Sequence, residues 1–518
     1  MNEKQVINPR YWLIGLIDQA VDAGLITRDD RFYAANQLSD RLQLEGDPWS
    51  RAAASGRPAV DPSIASERPL SIPELLDNLT DDAVARGVLE DLYDLRDRLQ
   101  ADLMNVFLDK PSTVNRQFWT LYQESPRQAT DWFYHMSQAG NYIQTRQIAK
   151  NIVYQAKTEY GDLDITINLS KPEKNPRDIA AARNKPNSGY PACQLCVENE
   201  GYAGRIGHPA RANHRMIRLD LAGEPWYFQY SPYSYYPEHC IILSEYHRDM
   251  VINALTFTRL LAFVTRFPHY FAGSNADLPI VGGSILTHDH YQGGCYELPM
   301  ARAKTAFVFS LPLFGTVKCS VLHWPMSVIR LQCRQPEPLV GAADMILKTW
   351  RAYSDQECDI LAFSGDTPHN TITPIARRRH EDYELDLVLR NNRQSAEHPL
   401  GIFHPHADVH HIKKENIGLI EVMGLAVLPA RLRGELAAVE DDLCGRPADI
   451  AAYHQAWAEE LKNRHPQIMT PEEAAQAVRR GVAEKFERVL ADAGLYKHNE
   501  TGRAGWLRFV AHLQKQSD

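Results

Sequence analysis

The chain has 518 residues, of which 56 are lysine or arginine and 65 are aspartate or glutamate, so that its formal net charge is −9. This balance supplies no broad positive field and argues against a general binder of nucleic acid or anionic membranes. A few well-placed cations could still bind a small anion. A chain of this length is predicted to form two or three domains.

The sequence indicates a reducing compartment. The chain begins with Met1–Gln5 and contains no apolar stretch of the kind that a signal peptide or a transmembrane helix requires. Its eight cysteines are too sparse for a disulfide scaffold. We therefore expect a soluble, cytoplasmic protein.

Residues 1–158 are predicted to form a helical N-terminal domain. Apolar side chains recur there at helical spacing, as in Trp12, Leu13, Leu16 and Ile17. Periodic apolar faces usually form core, and no group of residues in this part of the sequence indicates catalysis. We interpret it as an accessory or packing domain.

Residues 159–432 contain mostly strand patterns. Apolar and polar residues alternate at 162–169 and 383–390, which indicates half-buried strands. One helix is predicted over 251–267. Further strands are predicted at 216–221, 226–230, 239–243, 280–286, 306–311, 316–322 and 327–331. Since the tight turns favour antiparallel pairing, the prediction is an α+β fold with a mostly antiparallel sheet core.

Residues 433–518 are predicted to form a helical C-terminal region. Pro471 directly follows Thr470, and proline is favoured in the first turn of a helix after a capping threonine. The sheet core would then lie between helical N-terminal and C-terminal regions.

The most informative stretch, Asp277–Gly294, centres on the sequence His-Asp-His-Tyr-Gln. On an extended strand alternate residues face the same side, so that His288, His290 and Gln292 would form one polar row. The two intervening side chains would face away. Glycine pairs flank the row, and glycine lets a backbone or a phosphate approach where a Cβ atom would clash.

Such a row suits phosphoryl or nucleotidyl transfer. A neutral imidazole can attack phosphorus and form a phosphoramidate, which replaces one difficult displacement by two easier ones. The glutamine amide can donate to a non-bridging phosphoryl oxygen as negative charge develops. The alternative is that the two histidines are buried core residues or simple metal ligands. The added glutamine and the glycine pairs favour the functional interpretation.

A Cys-x-x-Cys pair, Cys193 and Cys196, is the second chemical signal. Such a pair can be redox-active, zinc-binding or incidental. A structural zinc site needs four ligands, and because the sequence has no second Cys-x-x-Cys, histidines must complete it. His247 and His288 are the best candidates. Zinc is our prediction, and a pair of reduced cysteines without metal is the alternative.

These motifs resemble those of the galactose-1-phosphate uridylyltransferases, which belong to the histidine-triad superfamily. Asp277–Gly294 is similar to the signature of their second class, the longer bacterial form, in which Asp289 replaces the proline of the first class. The segments Cys193–Asp249 and Phe403–Leu432 share the resemblance. It implies a histidine-triad-like uridylyltransferase catalytic region over residues 159–432.

The resemblance implies a double displacement. In the family a histidine attacks the α-phosphorus of UDP-glucose and releases glucose 1-phosphate. The uridylyl-histidine then passes UMP to galactose 1-phosphate and yields UDP-galactose. The nucleophile falls on His290, the support of the phosphate on Gln292, and a phosphate-contacting position on Ser284. The family uses no organic cofactor in this reaction.

The resemblance also implies a structural zinc ion on Cys193, Cys196, His247 and His288, because the first class binds zinc through a Cys-x-x-Cys pair and histidines. The first class has a second metal site that uses a His-x-His sequence. The corresponding region here holds His404–His406, but the match is loose, and no second metal is assigned.

Five further residues are predicted to bind substrate. The resemblance to a basic stretch followed by glycine points to Lys414 and Glu421, with a solvated charged loop as the alternative. Arginine forks match phosphate geometry, so Arg377 and Arg379 are predicted to reach substrate phosphate, with a solvated face as the alternative. Asn370 is a predicted polar contact in the same segment.

The predicted function is the exchange of UMP between UDP-glucose and galactose 1-phosphate. One alternative is a histidine-triad nucleotide-sugar hydrolase or phosphorylase, with water or phosphate as the acceptor. Another is a zinc-stabilised binding protein without enzymatic activity, in which His290 would be dispensable. The expected partners are the two substrates and a second copy of the chain, because related uridylyltransferases commonly dimerise; no nucleic acid or membrane is expected.

Overall fold

The computed structural model describes residues 8–47, 49, 69–170, 189–283 and 285–517. Spatial proximity of the Cα atoms divides the chain into two compact units. The first unit comprises Met1–Ala149, Lys171–Leu219 and Tyr227–Ser234, and the second comprises Lys150–Ser170, Asp220–Trp226 and Tyr235–Asp518. The domain boundaries at residues 158 and 432 stay predictions.

The N-terminal part of the first unit is helical, as predicted. Its helices are Pro9–Asp22, Arg31–Arg41, Ile72–Ala85, Tyr93–Asn105, Pro111–Glu124, Pro126–Ala139 and the single turn Thr145–Ile148. Ser71 starts one of them with a capping box, in which Glu74 accepts a hydrogen bond from the Ser71 backbone N–H. Leu13, Leu16 and Ile17 are fully buried in the core of this unit, which confirms the predicted apolar face.

Most of the strands belong to the second unit. In chain order the described strands are β1 Ile152–Thr158, β2 Gly161–Ile167, β3 Ile217–Leu221, β4 Glu224–Tyr230, β5 Cys240–Ser244, β6 Phe271–Gly273, β7 His290–Gly294, β8 Thr305–Phe309, β9 Lys318–Leu322, β10 Val328–Cys333, β11 Phe363–Ser364, β12 Thr367–Pro368, β13 Asn370–Arg379, β14 Asp382–Asn391 and β15 Leu425–Leu428.

Ten of these strands form one sheet with the order β3-β4-β5-β7-β6-β13-β14-β10-β9-β8. In this sheet order, every neighbouring pair from β5 to the edge strand β8 is antiparallel. A smaller sheet pairs β2 with β1 in antiparallel and with β15 in parallel fashion. The α+β fold with a mostly antiparallel sheet is therefore confirmed, and β7 lies between β5 and β6.

The helices of the second unit are Ala254–Arg266, Pro336–Ala352, Leu419–Val422, Leu432–Leu443, Ala452–Arg464, Pro471–Ala493 and Glu500–Gln516. The predicted helix start at Pro471 is confirmed, because the Thr470 hydroxyl accepts a hydrogen bond from the Glu473 backbone N–H. Among the described residues, no helix is both long and apolar enough to cross a membrane.

The predicted strand at 280–286 is wrong. The chain turns there, with Ile280 at a φ of 74°, and among the described residues of this segment, 280–283 and 285–286, only Gly282 makes an isolated bridge, to Ala276. A Cβ atom at Gly282 would lie 2.5 Å from the Ala276 carbonyl oxygen. The glycines therefore close a tight loop instead of continuing a strand.

A buried ion cluster lies across three neighbouring strands. Arg330 on β10 faces Asp386 on β14, and Arg377 on β13 faces Glu384 on β14. Both arginines lie 2.7 Å from the Asp386 carboxylate. Burial by itself would raise the pKa of Asp386, but the two guanidinium groups outweigh it and lower that pKa to about 2. The cluster holds Arg377 inside the sheet.

We expect Asp386→Asn to lower the free energy of unfolding by about 3–5 kcal/mol, because it leaves buried arginines short of a counter-charge. Since the folded-state pKa lies below the ordinary value of 3.8, the contribution of Asp386 is present above that value and is lost as the pH falls through about 2. Urea denaturation followed by tryptophan fluorescence measures the change.

The control is Arg334→Ala, which removes an ion pair with Glu381 whose two side chains are each 76% exposed. It should change the free energy of unfolding by less than about 1 kcal/mol. Equal effects of the two substitutions would contradict the stabilising role of the buried cluster.

Candidate active site and metal centre

The predicted histidine row is centred on β7. His290 is the first residue of β7 and is paired with Leu243 of β5, and Gln292 is paired with Ile241. His288 precedes the strand by two residues and is fully buried. The strand therefore begins later than the sequence pattern alone indicates, and local hydrogen bonds hold the first histidine instead.

His290 is held in one tautomer. Its Nδ1 lies 2.8 Å from the backbone oxygen of His288, and because a carbonyl oxygen can only accept, Nδ1 carries the proton. Burial lowers the pKa of His290 to about 4, so that the ring is neutral at pH 7. Nε2 then has a lone pair, and no hydrogen bond to it exists within the described part of the chain. This is the form that a histidine nucleophile requires.

His288 is held in the opposite tautomer, with the ring proton on Nε2. Its Nε2 lies 2.9 Å from the backbone oxygen of Ser244 and must donate the proton. Nδ1 is then the ring nitrogen that can ligate a metal. A hydrogen bond from the other ring nitrogen to a carbonyl is the usual way in which a protein orients a metal-ligating histidine.

The two cysteines lie side by side as reduced thiols. Their Sγ atoms are 3.5 Å apart, which is too long for a disulfide bond of about 2.05 Å. Burial raises the pKa of the Cys196 thiol to about 12. A bound cation would oppose this effect, because metals bind the thiolate form.

One ligand atom from each of Cys193, Cys196, His247 and His288 lies within 4.8 Å of the others. Two sulfurs on a tetrahedral zinc ion, each at about 2.3 Å, would be about 3.8 Å apart, close to the separation found here. The four residues therefore form a Cys/His cluster that could bind a metal ion, and they are the four that the sequence predicts.

Asp289 faces a cationic cluster behind the histidines. Its carboxylate lies 3.5 Å from both Arg248 and Arg259, and Glu224 binds the same two arginines at 2.7 and 2.6 Å. Burial raises the pKa of Asp289 to about 6, and the arginines partly offset the rise. Tyr291 stacks on Trp226 with ring centroids 4.8 Å apart. The intervening residues thus anchor the motif from behind.

Two side chains at the site were not predicted. His239 Nε2 lies 3.2 Å from the Gln292 amide oxygen. Asn275 accepts a hydrogen bond from the Leu419 backbone N–H at 2.9 Å. His239 lies 53 residues before Gln292, and only the strand pattern of β5 could have drawn attention to it, whereas Asn275 lies just before the motif Asp277–Gly294.

The glycines around the motif permit close packing of the backbone. A Cβ atom at Gly293 would lie 2.5 Å from the Phe271 carbonyl oxygen, and one at Gly283 would lie 2.7 Å from the Asn275 amide nitrogen. Any larger residue would push β7 away from β6. Ser284, the predicted phosphate contact, lies outside the described residues.

Three of the predicted substrate contacts are bound to protein groups. The Asn370 amide donates to the Trp350 and Tyr353 carbonyl oxygens at 2.7 and 2.8 Å. Arg377 belongs to the buried ion cluster of the sheet. Arg379 pairs with Glu297 at 2.6 Å. Each therefore has a structural partner, and the substrate contact assigned to each stays a prediction.

The basic stretch contains one buried and one exposed lysine. Lys413 donates to Glu421 at 3.0 Å and is only 5% exposed. Lys414 is exposed and lines a cavity of about 620 Å³ together with His410 and Arg431. The structure therefore pairs Glu421 with Lys413, and the substrate contacts of Lys414 and Glu421 stay predictions.

The chain matches two sequence families that together cover more than half of it. They are "Galactose-1-phosphate uridyl transferase, N-terminal domain", over residues 60–249, and "Galactose-1-phosphate uridyl transferase, C-terminal domain", over residues 263–459. The chain belongs to the galactose-1-phosphate uridyl transferase family. It is therefore a nucleotidyltransferase, and the resemblance found in the sequence is confirmed.

Curated relatives extend this match over most of the chain. The galactose-1-phosphate uridylyltransferase of Lactiplantibacillus plantarum (strain ATCC BAA-793 / NCIMB 8826 / WCFS1) is 54% identical over 487 residues, covering 94% of this chain and 96% of that protein. The protein of the same name from Streptococcus pneumoniae (strain Hungary19A-6) is 54% identical, covering 85% of this chain and 89% of that protein. The one from Clostridium perfringens (strain 13 / Type A) is 53% identical over 446 residues, covering 86% and 90%.

We expect Gly293→Ala to destabilise the protein by about 1–3 kcal/mol and to reduce its activity, because the added methyl group overlaps the Phe271 carbonyl oxygen. The control is Gly434→Ala, in the helix Leu432–Leu443, where no described atom lies within 4 Å of the new Cβ. That change should be neutral or should stabilise by up to about 1 kcal/mol. Urea denaturation and a transferase assay measure both variants. Wild-type stability and activity in Gly293→Ala would contradict the packing argument.

Proposed function

We propose that the protein transfers UMP from UDP-glucose to galactose 1-phosphate through a covalent uridylyl-His290 intermediate, giving UDP-galactose and glucose 1-phosphate. The observation that carries the proposal is the state of His290, which is buried and neutral with its Nδ1 proton bonded to a carbonyl. The names of the curated relatives support the choice of galactose 1-phosphate as a substrate.

The first half-reaction begins when the Nε2 lone pair of His290 attacks the α-phosphorus of UDP-glucose. The Nε2–P bond forms while the bond from that phosphorus to the bridging oxygen breaks, and glucose 1-phosphate leaves with the electron pair. The imidazole then carries a positive charge. The hydrogen bond from Nδ1 to the His288 carbonyl oxygen stabilises this cation, because charge-assisted hydrogen bonds are stronger than neutral ones.

The second half-reaction reverses the first with a different acceptor. A phosphate oxygen of galactose 1-phosphate attacks the same phosphorus, the P–Nε2 bond breaks, and His290 returns to its neutral form with UDP-galactose as the product. In both steps the Gln292 amide N–H groups would donate to the non-bridging oxygens of the transferred phosphoryl group. Two successive displacements predict ping-pong kinetics.

We also propose that the Cys/His cluster holds a structural zinc ion. Two thiolates and two imidazoles are the ligands that closed, four-coordinate zinc sites use, and the four ligand atoms lie within 4.8 Å of one another. Such an ion would fix the orientation of His288, whose carbonyl oxygen binds His290. The resemblance to the family further supports a cytoplasmic location and a homodimer. Analytical ultracentrifugation tests the oligomeric state.

We expect His290→Ala to abolish the covalent adduct. Wild-type protein incubated with UDP-glucose labelled with ³²P in the α-phosphate should retain label after denaturation. The variant should retain none, because it lacks the attacking nitrogen.

The control is His135→Ala, an exposed histidine of the first unit, which should form the adduct as the wild type does. Adduct formation by His290→Ala would contradict the nucleophile assignment. Rapid release of UMP from UDP-glucose without galactose 1-phosphate would instead indicate a hydrolase.

We expect Cys193→Ser to lower the zinc content from about one ion per chain to well below one and to reduce thermal stability, because serine is a much weaker zinc ligand. Elemental analysis and thermal unfolding measure the two effects. Cys444→Ser, outside the cluster, should keep both at the wild-type level. A wild-type protein that contains no zinc after purification with zinc supplied would contradict the site.

A further inference from the structure

The imidazole of His239, next to the start of β5, contacts the side chain of Gln292 on the neighbouring strand β7. His239 directly precedes β5, and the next two residues, Cys240 and Ile241, are paired with Gly293 and Gln292 of β7. Its Nε2 lies 3.2 Å from the Gln292 amide oxygen, and the side chain is only 3% exposed. The strand register therefore sets the distance between the two groups.

The chemistry of this contact decides how the amide is oriented. An amide oxygen can only accept, so Nε2 of His239 must carry the proton. Burial lowers the pKa of His239 to about 4, which keeps the ring neutral, and its buried Nδ1 has no partner among the described residues. The ring can then donate only through Nε2. Gln292 therefore presents its oxygen to His239, and both amide N–H bonds point away from that ring.

Aromatic packing holds the imidazole in place. The ring centroids of Tyr236 and His239 lie 4.6 Å apart, and the Tyr236 hydroxyl donates to the Gly293 carbonyl oxygen at 3.2 Å. The Tyr235 ring lies 5.5 Å from the same imidazole on a neighbouring position of the loop. The two tyrosine rings restrict the His239 imidazole, and the hydrogen bond of Tyr236 fixes Tyr236 to β7. The imidazole therefore cannot move with the Gln292 amide if that amide rotates.

We propose that His239 is a positioning residue that fixes the Gln292 amide with its N–H groups toward the transferred phosphoryl group. This inference rests on the proposed function, in which those N–H groups stabilise the charge that develops on the non-bridging oxygens. Without His239 the amide could rotate by half a turn and present its oxygen to the phosphate, which would replace attraction by repulsion. His239 itself would not touch the substrate.

The test measures the rate of uridylyl-His290 formation from labelled UDP-glucose in single turnover, together with the affinity for UDP-glucose. His239→Phe keeps an aromatic ring but removes the donor, and should slow adduct formation roughly tenfold or more, the loss expected for one hydrogen bond. The affinity should stay near the wild-type value. His239→Gln, whose amide N–H can reach the same oxygen, should restore most of the rate.

A double-mutant cycle separates positioning from general packing. In a Gln292→Ala background, His239→Phe should have no further effect, because the group that it orients is gone. An equal slowing in both backgrounds, or a His239→Gln variant as slow as His239→Phe, would overturn the proposal. If His239→Phe does not fold, His239→Asn, which is too short to reach Gln292, replaces it in the same cycle.

The two proposals fail in different ways. Failure of the wild type to form any adduct would overturn the proposed function. Normal adduct formation by the wild type together with a wild-type rate in His239→Phe would overturn only the role of His239.

Discussion

The hydrogen bond from His290 Nδ1 to the His288 carbonyl oxygen is the constraint on which the site depends. It selects the tautomer of His290 and leaves the lone pair on Nε2. The carbonyl oxygen would also stabilise the positive charge of a phosphorylated imidazole by accepting its Nδ1 hydrogen bond. A second main-chain carbonyl, that of Ser244, selects the opposite tautomer for His288. The two histidines have identical side chains and are separated by one residue, but different backbone carbonyl partners give them different tautomers and therefore different chemistry.

The surrounding fold keeps these two bonds in register. β7 lies between β5 and β6, and its glycines let the neighbouring backbone approach to distances that a Cβ atom would prevent. Behind the strand, Asp289 is held between Arg248 and Arg259, and Tyr291 stacks on Trp226. The same peptide segment is thus fixed from both sides, and a nucleophile must be held in this way if it is to attack along one line.

The acidic balance of the chain takes on a more specific meaning in the structure. The proposed function requires a protein with a net charge of −9 to bind two phosphorylated sugars, so the positions of its cations matter. Several of the cations near the sheet neutralise carboxylates of the fold: Arg377 with Glu384 and Asp386, Arg379 with Glu297, and Lys413 with Glu421. A run of three arginines in a sequence therefore says little about substrate, because the fold can supply a partner for each: carboxylates for Arg377 and Arg379, and the Tyr383 ring for Arg378.

Features that depend on local pattern could be predicted from the amino-acid sequence. Helical periodicity located the N-terminal and C-terminal helices, alternation located most strands, and the unusual density of His, Gln, Cys and Gly located the nucleophile candidate and the Cys/His cluster. The partner that each of these groups meets became visible in the folded chain. The fold replaced the predicted strand at 280–286 by a turn, and it paired Glu421 with Lys413. It also brought His239 to Gln292. Local periodicity reports which side of an element is buried, whereas tautomers, ion pairs and amide orientation depend on atoms that are distant in sequence.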